Sequence, residues 1–185
     1  MLEQFLNFDR DLLIYLNNLG SNNWDFLWLA ITDKLTFLPF FLIIIYFIYK
    51  KFTTKELLFI LLTIALLILF TDQFTNLIKD SFQRLRPCRD DSINFLLRSI
   101  DVRCGKFGFF SAHAANSMAV SVFLYKLFKS FKTLNYFLIF WVIVFSYSRV
   151  YLGVHFPIDI LFGLTFGFFF GSIAYKLFNR FCVTS

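Results

Sequence analysis

The sequence predicts an all-α integral membrane protein, a helical bundle of about five transmembrane helices preceded by an amphipathic helix at the membrane interface. Three observations carry that expectation. The chain is 58% hydrophobic and 22% aromatic over 185 residues, whereas a soluble domain holds roughly 45–50% apolar residues. Thirty phenylalanines exceed what a soluble core of this size can bury without leaving large apolar patches outside. The apolar residues also gather into runs at 35–49, 57–71, 118–128, 133–147 and 160–175. Residues 1–185 together read as a single membrane domain.

The elements follow in order. Phe5, Phe8, Leu12, Leu13, Tyr15, Leu16 and Leu19 fall at helical spacing among Glu3, Asp9, Arg10 and Asp11. This predicts an interfacial amphipathic helix within residues 1–20, not a leader with a basic start. Gly20-Ser21-Asn22-Asn23 reads as a turn. Each apolar run falls short of the roughly 20 residues that cross a bilayer. Including the polar tips gives spans near 24–50, 56–79, 112–130, 133–152 and 157–178. The tips then sit at membrane depth or at its edge, where ionisable groups are costly and usually functional. Residues 80–111 form the one long loop.

The net charge is +6. In a membrane chain the short basic loops point to topology and not to nucleic acid. Lys50, Lys51 and Lys55, then Lys126, Lys129 and Lys132, then Lys176 and Arg180 alternate as the positive-inside rule requires if they are cytoplasmic. The N-terminus and segments 80–111 and 148–157 then face outward. The outer loop is itself basic, with Arg84, Arg86, Arg89, Arg98, Arg103 and Lys106, which suits a loop that binds an anion. Of three cysteines, Cys88 and Cys104 share that loop. Outward exposure would permit a disulfide between them, with two free thiols as the alternative. Cys182 lies at the opposite end, and no cysteine–histidine spacing suggests a metal.

The chain has two histidines, His113 and His155, each in a polar cluster. The clusters are Lys79-x6-Arg86-Pro87, Ser111-Ala112-His113, and Ser148-Arg149-x5-His155-x3-Asp159. All three fall on the outward side of the predicted topology. Pro157 suits the first turn of a helix, so Asp159 can reach one imidazole nitrogen of His155 and turn the other outward. Ser111 can cap the following helix, whose first N–H groups favour anions. Asp72, Asn76 and Lys79 form an i, i+4, i+7 stripe, and Arg86 supplies a guanidinium fork suited to phosphate. Each feature alone also has a plainer reading: a satisfied histidine at the membrane edge, a bare helix cap, a snorkelling cation. Together they make an inventory for phosphoryl transfer with histidine as nucleophile and no metal.

The three clusters resemble the signature motifs of the type 2 phosphatidic acid phosphatase superfamily. That family includes lipid phosphate phosphatases, bacterial phosphatidylglycerophosphate and undecaprenyl diphosphate phosphatases, lipid A phosphatases and vanadium haloperoxidases. The first and third motifs match in full. The second departs from Pro-Ser-Gly-His, with Phe110 and Ala112 in the proline and glycine positions; this leaves the Ala112 N–H but predicts a less rigid loop before Ser111. The resemblance implies His155 as the nucleophile, Asp159 as its orienting partner and His113 as general acid and then base. It implies that Lys79, Arg86, Arg149, Ser111 and the Ala112 N–H hold the phosphoryl oxygens. It implies no cofactor and a lipid phosphate or diphosphate taken from the outer face, in a bacterial inner membrane. A lipid-to-lipid phosphotransferase of the same superfamily stays open, because an alcohol could replace water in the second step. An ion or proton transporter, or a haem anchor using both histidines, fits less well, since the polar groups lie on one side and neither histidine is at mid-span. Gly163, Gly167 and Gly171 form a small-xxx-small stripe suited to close helix packing within the chain, or to a homo-oligomer.

Overall fold

The structure, a computed structural model, describes residues 2–98 and 100–183. The described residues are helical apart from loops, turns and one isolated β-bridge between Leu85 and Phe107. The helices are α1 (Leu2–Asn18), α2 (Asn22–Thr32), α3 (Leu38–Lys51), α4 (Thr54–Phe82), α5 (Ala112–Leu127), α6 (Lys132–Tyr151) and α7 (Pro157–Phe178). The side chain of Cys182 lies outside the described residues.

By length and composition α4, α6 and the helix opening at Pro157 can each cross a membrane, and α2 with α3 would add a broken span. The expected single span 24–50 is therefore corrected: its two halves meet at 72°. Asp33 ends α2, and its carboxylate accepts from the Leu35 N–H at 3.0 Å. Pro39, which lacks a backbone donor, then suits the start of α3. α4 runs longer than expected because Thr53 and Glu56 form a reciprocal capping box at its start.

α5 is short and rich in Ala, Ser and Asn, and most of it is buried. It is the central helix, enclosed by α4, α6 and α7, so it needs no lipid-facing surface. The glycines of α7 allow the closest approach. A Cβ at Gly163 would lie 2.6 Å from the Ser111 carbonyl oxygen, and at Gly167 and Gly171 it would strike the carbonyls of Ala115 and Ala119. The small-residue stripe is thus a packing face within the chain. Outward surfaces of α4, α6 and α7 expose Leu66, Leu69, Phe140, Ile143, Leu161 and Phe169, as a bundle solvated by lipid requires.

α1 docks against α6 and α7. It does so through Asp9, Leu13 and Asn17, all buried, while Phe5, Phe8, Tyr15 and Leu19 stay exposed. The expected apolar face is therefore split, with Leu13 turned into the protein beside a buried carboxylate. Residues 83–98 and 100–111 cover the same end. Cys88 and Cys104 are joined as a disulfide, with Cα atoms 6.6 Å apart.

Candidate active site

His155 is positioned by the tight return between α6 and α7. Gly153, at φ +64°, makes the turn in a region that suits glycine. The N–H groups of Val154 and His155 then both donate to the Arg149 carbonyl, at 3.0 and 3.3 Å. Asp159 sits in the first turn of α7. Its Oδ2 accepts from the Phe156 N–H at 3.0 Å and lies 3.4 Å from His155 Nδ1. Imidazole and carboxylate are both buried, 1% and 0% exposed.

The start of α5 is tied to the same place. The Ser111 N–H donates to the Asp159 carbonyl at 3.0 Å, and Ser111 Oγ caps the helix by accepting from Ala114 N–H at 3.4 Å. Ala112 opens α5, so its N–H is a first-turn donor with no helical carbonyl to meet. Phe110, where the motif has proline, is fully buried and stacks on Phe166 with centroids 4.9 Å apart. Aromatic packing anchors the loop that the sequence suggested would be slack. The ring of His113 stacks on Phe145 at 5.3 Å, one turn before Arg149, and faces a cleft between α3, α4, α5 and α6.

Three cations complete the site. Arg86 is held by its backbone N–H to the Lys106 carbonyl at 3.1 Å and by Nε to the Phe107 carbonyl at 3.0 Å. Gly108 lets that strand pass close: a Cβ there would lie 3.1 Å from Arg86 Cγ and 3.3 Å from Asp159 Oδ2. Arg149 is buried, donates to Thr32 Oγ1 at 2.5 Å, and keeps its Nε without a partner among the described residues. Lys79, in the last turn of α4, is half-buried. Among the described residues none of the three forms an ion pair. Their effect converges on His155, whose pKa is held well below 6.5, first by burial and then by the positive charges of Arg86, Arg149 and Lys79; a backbone contact with Gly108 opposes them. A neutral imidazole among unpaired cations favours a polyanion, which would relieve their desolvation.

The sequence did not point to the residues that hold Asp159. Arg84 donates to Asp159 Oδ1 at 2.8 Å and to Asp9 Oδ2 at 2.7 Å, and its guanidinium lies 3.8 Å from the centroid of Phe156. Asp9 also accepts the Ile158 N–H at 2.9 Å. Burial raises the Asp9 pKa, while the hydrogen bonds from Arg84 and Ile158 lower it. The one signal was the Asp9-Leu13-Asn17 spacing, a stripe at i, i+4, i+8; nothing in one sequence links it to residue 84. The basic loop is also less free to bind anions than its composition suggested. Arg84 is paired internally, and so is Arg98, with Asp25 at 2.7 Å. In the α4 stripe Asn76 faces outward, while Asp72 accepts from Asn116 Nδ2 at 2.6 Å.

Comparison with known proteins adds to this geometry. Residues 56–181 match the family model of the PAP2 superfamily. The chain is 36% identical over 183 residues to the lipid A 4'-phosphatase of Bacteroides thetaiotaomicron, covering 97% of this chain and 81% of that one. It is 31% identical over 180 residues to the lipid A 4'-phosphatase of Porphyromonas gingivalis, covering 96% and 75%. Its fold resembles the transmembrane PAP2-type phosphatidylglycerolphosphate phosphatase of Bacillus subtilis, with TM-score 0.72 at 23% identity, covering 96% of this chain and 88% of that one. It also resembles Aquifex aeolicus LpxE, with TM-score 0.66 at 20% identity, covering 90% and 93%.

Proposed function

The chain belongs to the PAP2 superfamily, and from that premise we propose that it is an integral membrane phosphatase removing phosphate from a lipid of the lipid A class by way of a phosphohistidine. The observation that carries the reading is the set of three cations, without ion pairs among the described residues, gathered at a buried His155 whose Nδ1 lies 3.4 Å from Asp159 Oδ2. The relatives named lipid A 4'-phosphatase favour a phosphate monoester on a lipid A headgroup over a prenyl diphosphate.

Asp159 accepts from His155 Nδ1–H and leaves the Nε2 lone pair free to attack. The N–P bond forms as the P–O bond to the lipid breaks, and His113 gives the leaving oxygen its proton. Water then attacks the phosphohistidine, with His113 taking a proton back. Lys79, Arg86, Arg149, Ser111 and the Ala112 N–H hold the three equatorial oxygens, since phosphoryl transfer depends on positioning and charge stabilisation. The site faces outward, on the periplasmic side of a bacterial inner membrane. α1 lies along that interface with Phe5, Phe8, Tyr15 and Leu19 toward lipid.

The test is phosphate release by detergent-purified protein from lipid A, phosphatidylglycerophosphate, phosphatidic acid and undecaprenyl diphosphate in EDTA, beside His155→Ala. Release from lipid A, its loss in the variant and an acid-labile phosphoprotein from labelled substrate are the expected results. Phosphate transferred to an added lipid alcohol instead of water would replace hydrolysis by phosphotransfer. Full activity in His155→Ala would remove the mechanism.

A further inference from the structure

The cleft below His113 has a volume of about 410 Å³ and lies between α3, α4, α5 and α6, with a lining that is mostly apolar but includes Asp72, Asn116 and Ser117. Two of the lining residues, Asn116 and Trp141, carry a buried polar atom without a partner among the described residues. Among the described residues Asn116 Oδ1 accepts no hydrogen bond and Trp141 Nε1 donates none. The amide orientation of Asn116 follows from its Nδ2 bond to the Asp72 carboxylate at 2.6 Å. The depths of the two atoms can be compared. His113 stacks on Phe145 and marks one level. Asn116 is three residues further along α5 and Trp141 four residues earlier on α6, so at 1.5 Å per residue both sit about 5 Å deeper. One unpaired acceptor and one unpaired donor thus belong to residues at the same depth of one largely apolar cleft.

Resting on the lipid phosphatase reading, we propose that this cleft takes the hydrocarbon chain of the substrate and that Asn116 and Trp141 recognise a hydroxyl or amide group on that chain near its head. A hydroxyl donates to Asn116 Oδ1 and accepts from Trp141 Nε1; a secondary amide does the same with its N–H and its carbonyl. An unsubstituted alkyl chain fills the space and leaves both buried atoms unpaired, so specificity comes from penalising the plain chain. The cleft is continuous with the reacting end, because Ala112 and His113 line it.

The experiment uses two synthetic glycolipid phosphates that differ only in a 3-hydroxyl on the acyl chain. Retention of each radiolabelled lipid by the immobilised full chain in detergent gives Kd, and phosphate release is measured in parallel. The hydroxylated lipid is expected to bind about tenfold more tightly, the fold-change of one net hydrogen bond. Trp141→Phe, which keeps an aromatic ring and removes the N–H, and Asn116→Leu should each bring the ratio toward one while the plain lipid still binds. If Asn116→Leu does not elute as folded protein, Trp141→Phe alone decides. Equal affinities for the two lipids with phosphate release intact overturn the recognition site and leave the phosphatase reading standing. A retained binding preference with no phosphate release supports the site and removes the phosphatase. Equal affinities without release remove both.

Discussion

At the scale of single residues, His155 is the side chain whose surroundings matter most. Its pKa is depressed by burial and by three cations, so the folded protein favours the neutral imidazole, the form that the proposed nucleophilic role needs. The sign follows: the unfolded chain binds a proton near pH 6.5 and the folded chain only at lower pH. His155 therefore contributes stability that is present above about pH 6.5 and is lost as pH falls toward the folded pKa. The acid limb of kcat/KM, which reports the free enzyme, is expected below pH 6.5, and an acid limb above that value would contradict the burial argument. Arg149→Ala should lower kcat/KM on the order of 10²–10³, as for a single oxyanion donor. Arg149→Lys should recover little, because a point charge lacks the guanidinium fork.

In the proposed mechanism Arg84 and Asp9 act through Asp159, which Arg84 contacts directly, and not on the substrate. Arg84→Met removes the salt bridge from a fully buried carboxylate and should lower kcat by on the order of tenfold or more with KM nearly unchanged. Asp9→Asn keeps an acceptor for the Ile158 N–H and should cost less. A rise in KM with kcat intact would place Arg84 among the phosphate ligands instead.

Among the elements, the contact between α5 and α7 decides where the two histidine-bearing segments meet. Gly163 approaches the Ser111 carbonyl, and Gly171 approaches α5 far from the site. The two positions should separate function from stability. Gly163→Ala pushes on the Ser111–Asp159 link and is expected to reduce activity. Gly171→Leu overpacks the distant end and should lower thermal stability in detergent, by about 1–3 kcal/mol, with a smaller effect on turnover. α1 shows a related division. Its exposed apolar side suits lipid, while Asp9, Leu13 and Asn17 carry it onto the site, so it is both a surface helix and a brace for Arg84.

Across the whole molecule, the candidate site residues gather at one end of the bundle and the described part of the loop after α4, residues 83–98 and 100–111, closes over them. The Cys88–Cys104 bridge joins residues 16 apart in the loop that carries Arg84 and Arg86. Cross-linking a loop of that size contributes about 3 kcal/mol in the chain-entropy account. Cys88→Ser with Cys104→Ser should therefore lower the melting temperature and weaken activity together. An unchanged melting temperature would show that the loop is held by Arg98–Asp25 and its other bonds alone.

Much of this was legible in the sequence, for a physical reason. Apolar run length reports the solvent a helix meets, and this marked the helix starting near 157, the one expected over 133–152 and the apolar part of α4. The candidate set was legible because His155, Asp159 and Pro157 are local to one helix start, because Ser111 caps a helix whose first N–H groups favour anions, and because Arg86 supplies a guanidinium fork beside Pro87. Only the tertiary structure decided the break at Asp33, since local capping there outweighed the helix continuity that a full-length span over 24–50 would need. It alone assigned Asp9 and Arg84 to the site: an ion pair between residues 75 apart leaves no period in a sequence, and a buried aspartate on a surface helix looks like any solvated charge until the helix is docked.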